Sequence, residues 1–193
     1  YWPLLVPCAP AGLRRQLTNS LGFTGNDMSN TQFAFIERSK VPDRAALQAS
    51  VDALGFDLKL HPDYTRFEDS GFLPFVLCGE EGPGFEIDYE EARQIVGEDA
   101  NLQALAVGRD HCISMTWKGS MKDLACVMIV SCALAKDFEA VVSYGGEPPE
   151  PLETMLESIP IILKESAGEK LPDLKVMASA GNAVSKKPWW KLW

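Results

Sequence analysis

The chain has 193 residues, of which 46% are hydrophobic and 23% are charged, a composition typical of a globular protein that buries a core. Its formal net charge of -9 argues against nonspecific binding to nucleic acid or to an anionic membrane and favours a basic protein partner. The longest apolar run, "LACVMIVSCALA" at 124–135, is shorter than the roughly 18 residues that a membrane-spanning helix needs, so we expect no stable membrane insertion.

The two ends of the chain differ from its middle. Residues 1–27 precede Met28, where the sequence opens like an independent protein start, and Arg14 and Arg15 follow the apolar residues instead of preceding them as in a secretory signal. We therefore predict an extension of doubtful order over residues 1–27, a single domain over residues 28–165, and a tail or strap over residues 166–193.

Alternation and helical spacing predict the first half of the domain. "TQFAFIE" at 31–37 predicts a strand, and "FDLKL" at 56–60 predicts a second one. Between them "VPDRAALQASVDALG" at 41–55 predicts a helix, with Pro42 near its first turn, Asp43 close to the positive end of its dipole and Gly55 as its stop. "GFLPFVLCGEEGPGFEIDYEE" at 71–91 predicts a hairpin that turns at "GEEGPG". Pro74 indicates an edge or the start of the first of these two strands.

The second half continues the alternation of strands and helices. We predict a short helix over "YEEARQIVG" at 89–97, a strand over "DHCISMTWK" at 110–118, a buried helix over 119–138 that Ser120 caps, and a strand at 139–144. The segment 152–166 has helical spacing that Pro160 kinks or ends. The order of these elements predicts an α+β fold, with a mostly antiparallel or mixed sheet and helices packed on one face.

Three carboxylates alternate along the predicted strand at 84–91. Glu86, Asp88 and Glu90 share one side, adjacent ones about 7 Å apart because each residue rises roughly 3.3 Å. This spacing suits a solvated strand face, a surface for a basic protein, a divalent cation with further ligands from other strands, or a pair of acid/base carboxylates. We predict partner binding at these three residues, with Tyr89 and Trp117 as aromatic anchors where they are exposed.

Cysteine and histidine chemistry is sparse. Five cysteines lack a C-x-x-C pair, which favours reduced, buried thiols in a cytoplasmic protein over disulfides or a zinc site. They are Cys8, Cys78, Cys112, Cys126 and Cys132. We therefore predict no cofactor and no metal.

The histidines offer a further route to an enzyme. His111 and Cys112 are consecutive and would point to opposite faces of a strand, so they form no catalytic dyad. We predict no catalytic residues. The alternative function is an enzyme that uses Glu86 and Asp88 with His61 or His111 in a shared pocket.

The carboxyl end is rich in tryptophan and lysine. "KKPWWKLW" at 186–193 suits a membrane interface, a groove of its own domain, a partner, a second copy of the chain, or a disordered end. We predict a homo-oligomer through this segment as one of these possibilities.

The stretch "FEDSGFLPFVLCGEEGPGFEIDYEE" at 67–91 combines an aromatic strand, a G-E-E-x-G-F-E-like turn and an acidic exit. In this it resembles small bacterial α+β proteins of the polymorphic-toxin immunity-protein kind, over roughly residues 28–145. The resemblance implies a non-enzymatic acidic module that covers the active site of a toxin. Glu86, Asp88 and Glu90 would be the residues to match to that role.

Overall fold

The computed structural model describes residues 30–168. The predicted extension over residues 1–27 and the segment 186–193 lie outside them. The described chain forms, in order, β1 (Asn30–Ile36), α1 (Arg44–Ala53), β2 (Leu58–Leu60), β3 (Gly71–Leu77), β4 (Glu80–Glu91), α2 (Ala92–Val96), α3 (Ala100–Leu105), β5 (His111–Trp117), α4 (Met121–Asp137), β6 (Val141–Tyr144) and α5 (Leu152–Ser166). A single 3-10 turn (Arg38–Lys40) lies between β1 and α1.

The strands form one antiparallel sheet in the order β2-β3-β4-β5-β1-β6. The main core lies between this sheet and α1, α4 and α5. The short helices α2 and α3 pack against the other face, around Phe35 and Cys112. The α+β fold with an antiparallel sheet is therefore as predicted, and the three long helices share one face.

Helix α4 is the centre of the core. Every residue from 125 to 134 is buried, because α4 contacts the sheet as well as α1 and α5. The side chain of Ser120 caps the helix by accepting hydrogen bonds from the backbone N–H groups of Lys122 and Asp123, as predicted. Oδ1 of Asp123 accepts a hydrogen bond of 2.9 Å from the backbone N–H of Gly84, which ties the start of α4 to β4.

The β3–β4 hairpin turns at Cys78 and Gly79, earlier than the centre of the turn predicted at 79–84. These two residues have φ of 51° and 78°, and a type I′ two-residue hairpin turn requires positive φ at both central residues. The predicted turn "GEEGPG" lies largely inside β4. Pro74 lies just outside the part of β3 that β2 covers, Phe75–Leu77, and beside a register shift, so its missing N–H is tolerated.

Within residues 30–168, no helix is both long enough and apolar enough to cross a bilayer.

The described thiols should differ sharply in reactivity. Cys78 is exposed, whereas Cys112, Cys126 and Cys132 are fully buried. Burial raises the pKa of Cys112 and of Cys132 to about 12, and the thiolate is the reactive form. We expect iodoacetamide at pH 8 to modify Cys78 in the folded protein and the other three only in urea, as read by peptide mass spectrometry. Modification of Cys126 without urea at the rate of Cys78 would contradict this burial.

Candidate functional site

The three predicted carboxylates lie together on the sheet face that points away from the main core. Glu86 and Asp88 are exposed and Glu90 is half-buried. Phe85 and Ile87, which alternate with them, are buried in the main core. We call Glu86, Asp88 and Glu90 the acidic face.

The side chains that pair directly with the acidic face across the sheet carry no charge. Directly paired residues of antiparallel strands share a face, which places four neighbours beside the carboxylates. These neighbours are Phe72 on β3 and Cys112, Ser114 and Thr116 on β5. No group of three or more His, Cys, Asp or Glu side chains within residues 30–168 is arranged to hold a metal ion, so the neighbouring strands add no ligands of that kind for a cation.

The carboxylates of the acidic face have few partners of their own. Oδ1 of Asp88 accepts a hydrogen bond of 2.6 Å from the hydroxyl of Ser70. Nζ of Lys118 lies 3.8 Å from Oε1 of Glu86, and both side chains are exposed, so the attraction between them is weak. Asp88 and Glu90 form no ion pair with any residue from 30 to 168. Their charge is therefore available to a partner.

The carboxylates at the two ends of β4 are neutralised within the domain. Both side-chain oxygens of Glu80 accept hydrogen bonds from Nζ of the buried Lys122, at 2.7 and 2.8 Å. Oε2 of Glu91 lies 2.5 Å from Nε of Arg93. Glu80 and Glu91 are thus each paired with a cation, whereas Glu81, beside Glu80, is exposed and forms no ion pair within residues 30–168.

Phe72 is an aromatic side chain that the sequence analysis did not assign to the site. It is 52% exposed and pairs directly with Glu86 across β3 and β4. The exposure of Phe72 could have been predicted from the alternation of β3. Leu73, Phe75 and Leu77 all point into the core, so the residues that alternate with them must point the other way.

Tyr89 and Trp117 lie on the opposite face of the sheet, which corrects their assignment as anchors. The hydroxyl of Tyr89 is hydrogen-bonded to that of Tyr64, and burial raises the pKa of both groups. Trp117 is 6% exposed within the main core, its ring 5.9 Å from that of Tyr144. Consecutive strand residues alternate between faces, so neither ring can contact a partner bound to the acidic face.

His111 lies at the start of β5, among aromatic rings. Its ring stacks with that of Tyr89 at 6.4 Å and meets the edge of Phe67 at 5.3 Å. It is 3% exposed. Cys112 packs in the cluster on the other side of the sheet, as predicted, so the two residues form no dyad.

The enzyme alternative required a pocket that joins the acidic face to a histidine. The cleft that His111 lines contains neither Glu86 nor Asp88, because His111 points away from their face. His61 follows β2, where its Nδ1 accepts a hydrogen bond of 3.2 Å from the backbone N–H of Asp63. The geometry of the described residues gives the enzyme alternative no support at His111.

The pH dependence of stability should report on His111. Burial lowers the pKa of His111, and the positive charge of Arg38 lowers it further, against opposing effects of Asp110 and Glu91. The imidazole of His111 therefore binds a proton more readily in the unfolded chain than in the folded one. The folded state has its full stability above about pH 6.5, the ordinary pKa of histidine, and loses part of it as the pH falls from there through the lower pKa of His111 in the folded protein.

We expect the unfolding free energy, measured in urea, to fall less between pH 7.5 and pH 5.5 in His111→Phe than in the native chain. The phenyl ring keeps the packing between Tyr89 and Phe67 and removes the proton site. Equal changes in the two proteins would show that His111 is as easily protonated in the folded state as in the unfolded one.

Comparisons of the chain with models of protein families, with curated proteins and with solved structures find no match.

Proposed function

We propose that the protein is a non-enzymatic binding module that neutralises or regulates a basic protein partner through its acidic face. The observation that carries this proposal is that Glu86 and Asp88 are exposed on one side of a strand whose other side is packed in the main core. The long helices fix the strand from behind, so the carboxylates are held in place before a partner arrives. Such an arrangement favours fast, oriented association with a positively charged surface.

Phe72 supplies the apolar part of this surface. Its exposed ring lies beside Glu86, and protein interfaces are enriched in aromatic side chains at their centres. The charges would orient the partner, and the ring would be desolvated on contact and contribute affinity. Phe72 therefore takes the place that the sequence analysis gave to Tyr89 and Trp117.

A bacterial toxin is the proposed class of partner. The ground for this is the resemblance of residues 67–91 to immunity proteins, which are acidic and cover a toxin's active site. A cytoplasmic location belongs to the same proposal, and the four described cysteines, which are all free, support it.

The test compares two charge-reversed forms of the full chain. The first carries Glu86→Lys, Asp88→Lys and Glu90→Lys. The control carries Glu153→Lys, Glu157→Lys and Glu165→Lys at three exposed positions of α5, so both variants change the net charge equally. A partner is captured from the host by the native chain and identified by mass spectrometry, and its affinity for the three proteins is then measured at fixed salt.

We expect the first variant to lose about 100-fold or more in affinity, because like charges then face each other across the interface. The control should bind within a few-fold of the native chain. Unchanged binding by a folded first variant would refute the proposal. An equal loss of affinity in the two variants would show that the partner responds to the net charge of the protein and not to the acidic face.

A further inference from the structure

A cleft at one end of the sheet gathers most of the described arginines. It has a volume of about 800 Å³, within the range of roughly 300 to 1,000 Å³ that is common for small-ligand sites. Arg38, Arg93 and Arg109 line it, and residues 30–168 hold only two other arginines, Arg44 and Arg66. In a chain with a net charge of -9, this concentration of guanidinium groups sets the cleft apart.

Two residues that line this cleft each have a buried side-chain nitrogen without a hydrogen-bond partner within the described residues. The two nitrogens are Nε of Arg109 and Nε2 of His111, and His111 is 3% exposed. A buried N–H without a partner is destabilising, so buried polar groups of native proteins nearly always have a partner, which can be a bound ion. An oxyanion is a suitable acceptor for the Nε–H of Arg109, and for Nε2 of His111 when that nitrogen carries the ring proton.

The carboxylates of the cleft are already engaged. Oδ1 of Asp110 accepts a hydrogen bond of 2.7 Å from the backbone N–H of Arg38, and Glu91 pairs with Arg93. The terminal nitrogens of Arg109 donate to the carbonyl oxygens of Val107 and Glu139, at 2.9 and 3.5 Å. These contacts hold the guanidinium of Arg109 in one orientation without using its Nε–H.

Aromatic packing places Arg38 and His111 close together. The guanidinium carbon of Arg38 lies 4.2 Å from the centre of the Phe67 ring, and the same ring packs against His111 at 5.3 Å. A guanidinium stacked on an aromatic ring is oriented in advance for planar, two-bond recognition of phosphate. Ala92, Val96 and Ala106 also line the cleft and form its apolar wall.

We propose that this cleft binds the phosphate group of a small phosphate monoester, with the apolar wall against the organic part of the ligand. Nε–H of Arg109 and Nε2–H of His111 donate to the phosphate oxygens, and Arg38 and Arg93 supply further positive charge. No residue of the acidic face lines the cleft. The proposal therefore stands independently of the function proposed above.

The experiment is an NMR titration of the full, ¹⁵N-labelled chain with inorganic phosphate and with phenyl phosphate, at constant ionic strength balanced by chloride. We expect saturable shifts of the side-chain signals of Arg109 and His111 and of backbone amides around the cleft. Phenyl phosphate should bind several-fold more tightly than inorganic phosphate, because its ring buries apolar surface against the wall.

Matched variants separate a built site from general attraction of anions. Arg109→Met should weaken phenyl phosphate binding about tenfold or more, because a hydrogen bond to a charged group is lost. Lys164→Met removes one positive charge from the exposed end of α5 and should leave the affinity unchanged. Arg38→Met should also weaken phenyl phosphate binding. Because Arg38 is exposed, this variant tests the proposal even if Arg109→Met folds poorly.

Three results would overturn the proposal. The first is the absence of saturable shifts at the cleft with either probe. The second is an equal loss of affinity in Arg38→Met and Lys164→Met. The third, equal affinity for the two probes, would overturn the assignment of the apolar wall to the ligand.

Discussion

Gly84→Ala should lower the free energy of unfolding by about 3 kcal/mol, the upper end of the range for overpacking a well-packed site. A Cβ atom on Gly84 would lie 2.3 Å from the carbonyl oxygen of Leu73 and 2.9 Å from Cζ of Phe72. The ring of Phe72 can rotate away, but the oxygen of Leu73 belongs to the backbone of β3. The strands must therefore separate locally to admit a methyl group.

The position of Gly84 is also fixed from its other side. Its backbone N–H donates to Asp123 at the start of α4, so β4 cannot withdraw from β3 without losing that hydrogen bond. A glycine inside a strand often marks such a close approach of two backbones. Here it joins β3, β4 and α4 at one point.

The measurement for Gly84→Ala is urea unfolding followed by circular dichroism, with Gly168→Ala as the matched control. A Cβ atom on Gly168 would meet nothing nearer than the backbone oxygen of Glu165 at 4.0 Å, so the control should unfold at the same urea concentration as the native chain. An unchanged midpoint for Gly84→Ala would mean that β3 and β4 are farther apart in solution.

Trp117→Ala should destabilise the domain by about 3 kcal/mol, as expected for truncation of a buried tryptophan. Trp117 is 6% exposed and packs in the main core. We expect the remaining folded protein to bind a partner of the acidic face with unchanged affinity. This result would show that Trp117 stabilises the fold and does not anchor a partner.

The opposite result is expected for Phe72→Ala. Phe72 is 52% exposed, so its removal should change the unfolding free energy by less than about 0.5 kcal/mol, while the affinity for the partner falls. The two variants are compared by urea unfolding and by partner binding. Loss of binding in Trp117→Ala at full stability would contradict the placement of both rings.

Local patterns in the sequence were sufficient for most of the fold. Alternation located the strands, and Ser120 and Asp43 marked where α4 and α1 begin, since both side chains cap their helices. Local patterns failed at the β3–β4 turn, because Cys78 adopts positive φ without the chemistry that usually marks it. Helix α3 was missed because it has only six residues, too few to establish a period.

The candidate site was predictable only in part. The alternation of Glu86, Asp88 and Glu90 with apolar residues identified the acidic face. Which aromatic rings accompany it depends on strand pairing, and the pairing of Phe72 with Glu86 is a long-range result that no local pattern contains. The arginine cleft was missed for a similar reason, since its residues come from separate elements.

The position of β1 in the sheet has a consequence for how the chain is made. β1 pairs only with β5 and β6, and the hydroxyls of Thr31 and Thr116, 85 positions apart, meet at 3.0 Å. During synthesis, β1 must wait until those strands leave the ribosome, with Phe33 and Phe35 unpaired meanwhile. Such late, long-range pairing slows folding and leaves a hydrophobic strand unpaired and open to aggregation until β5 and β6 are complete.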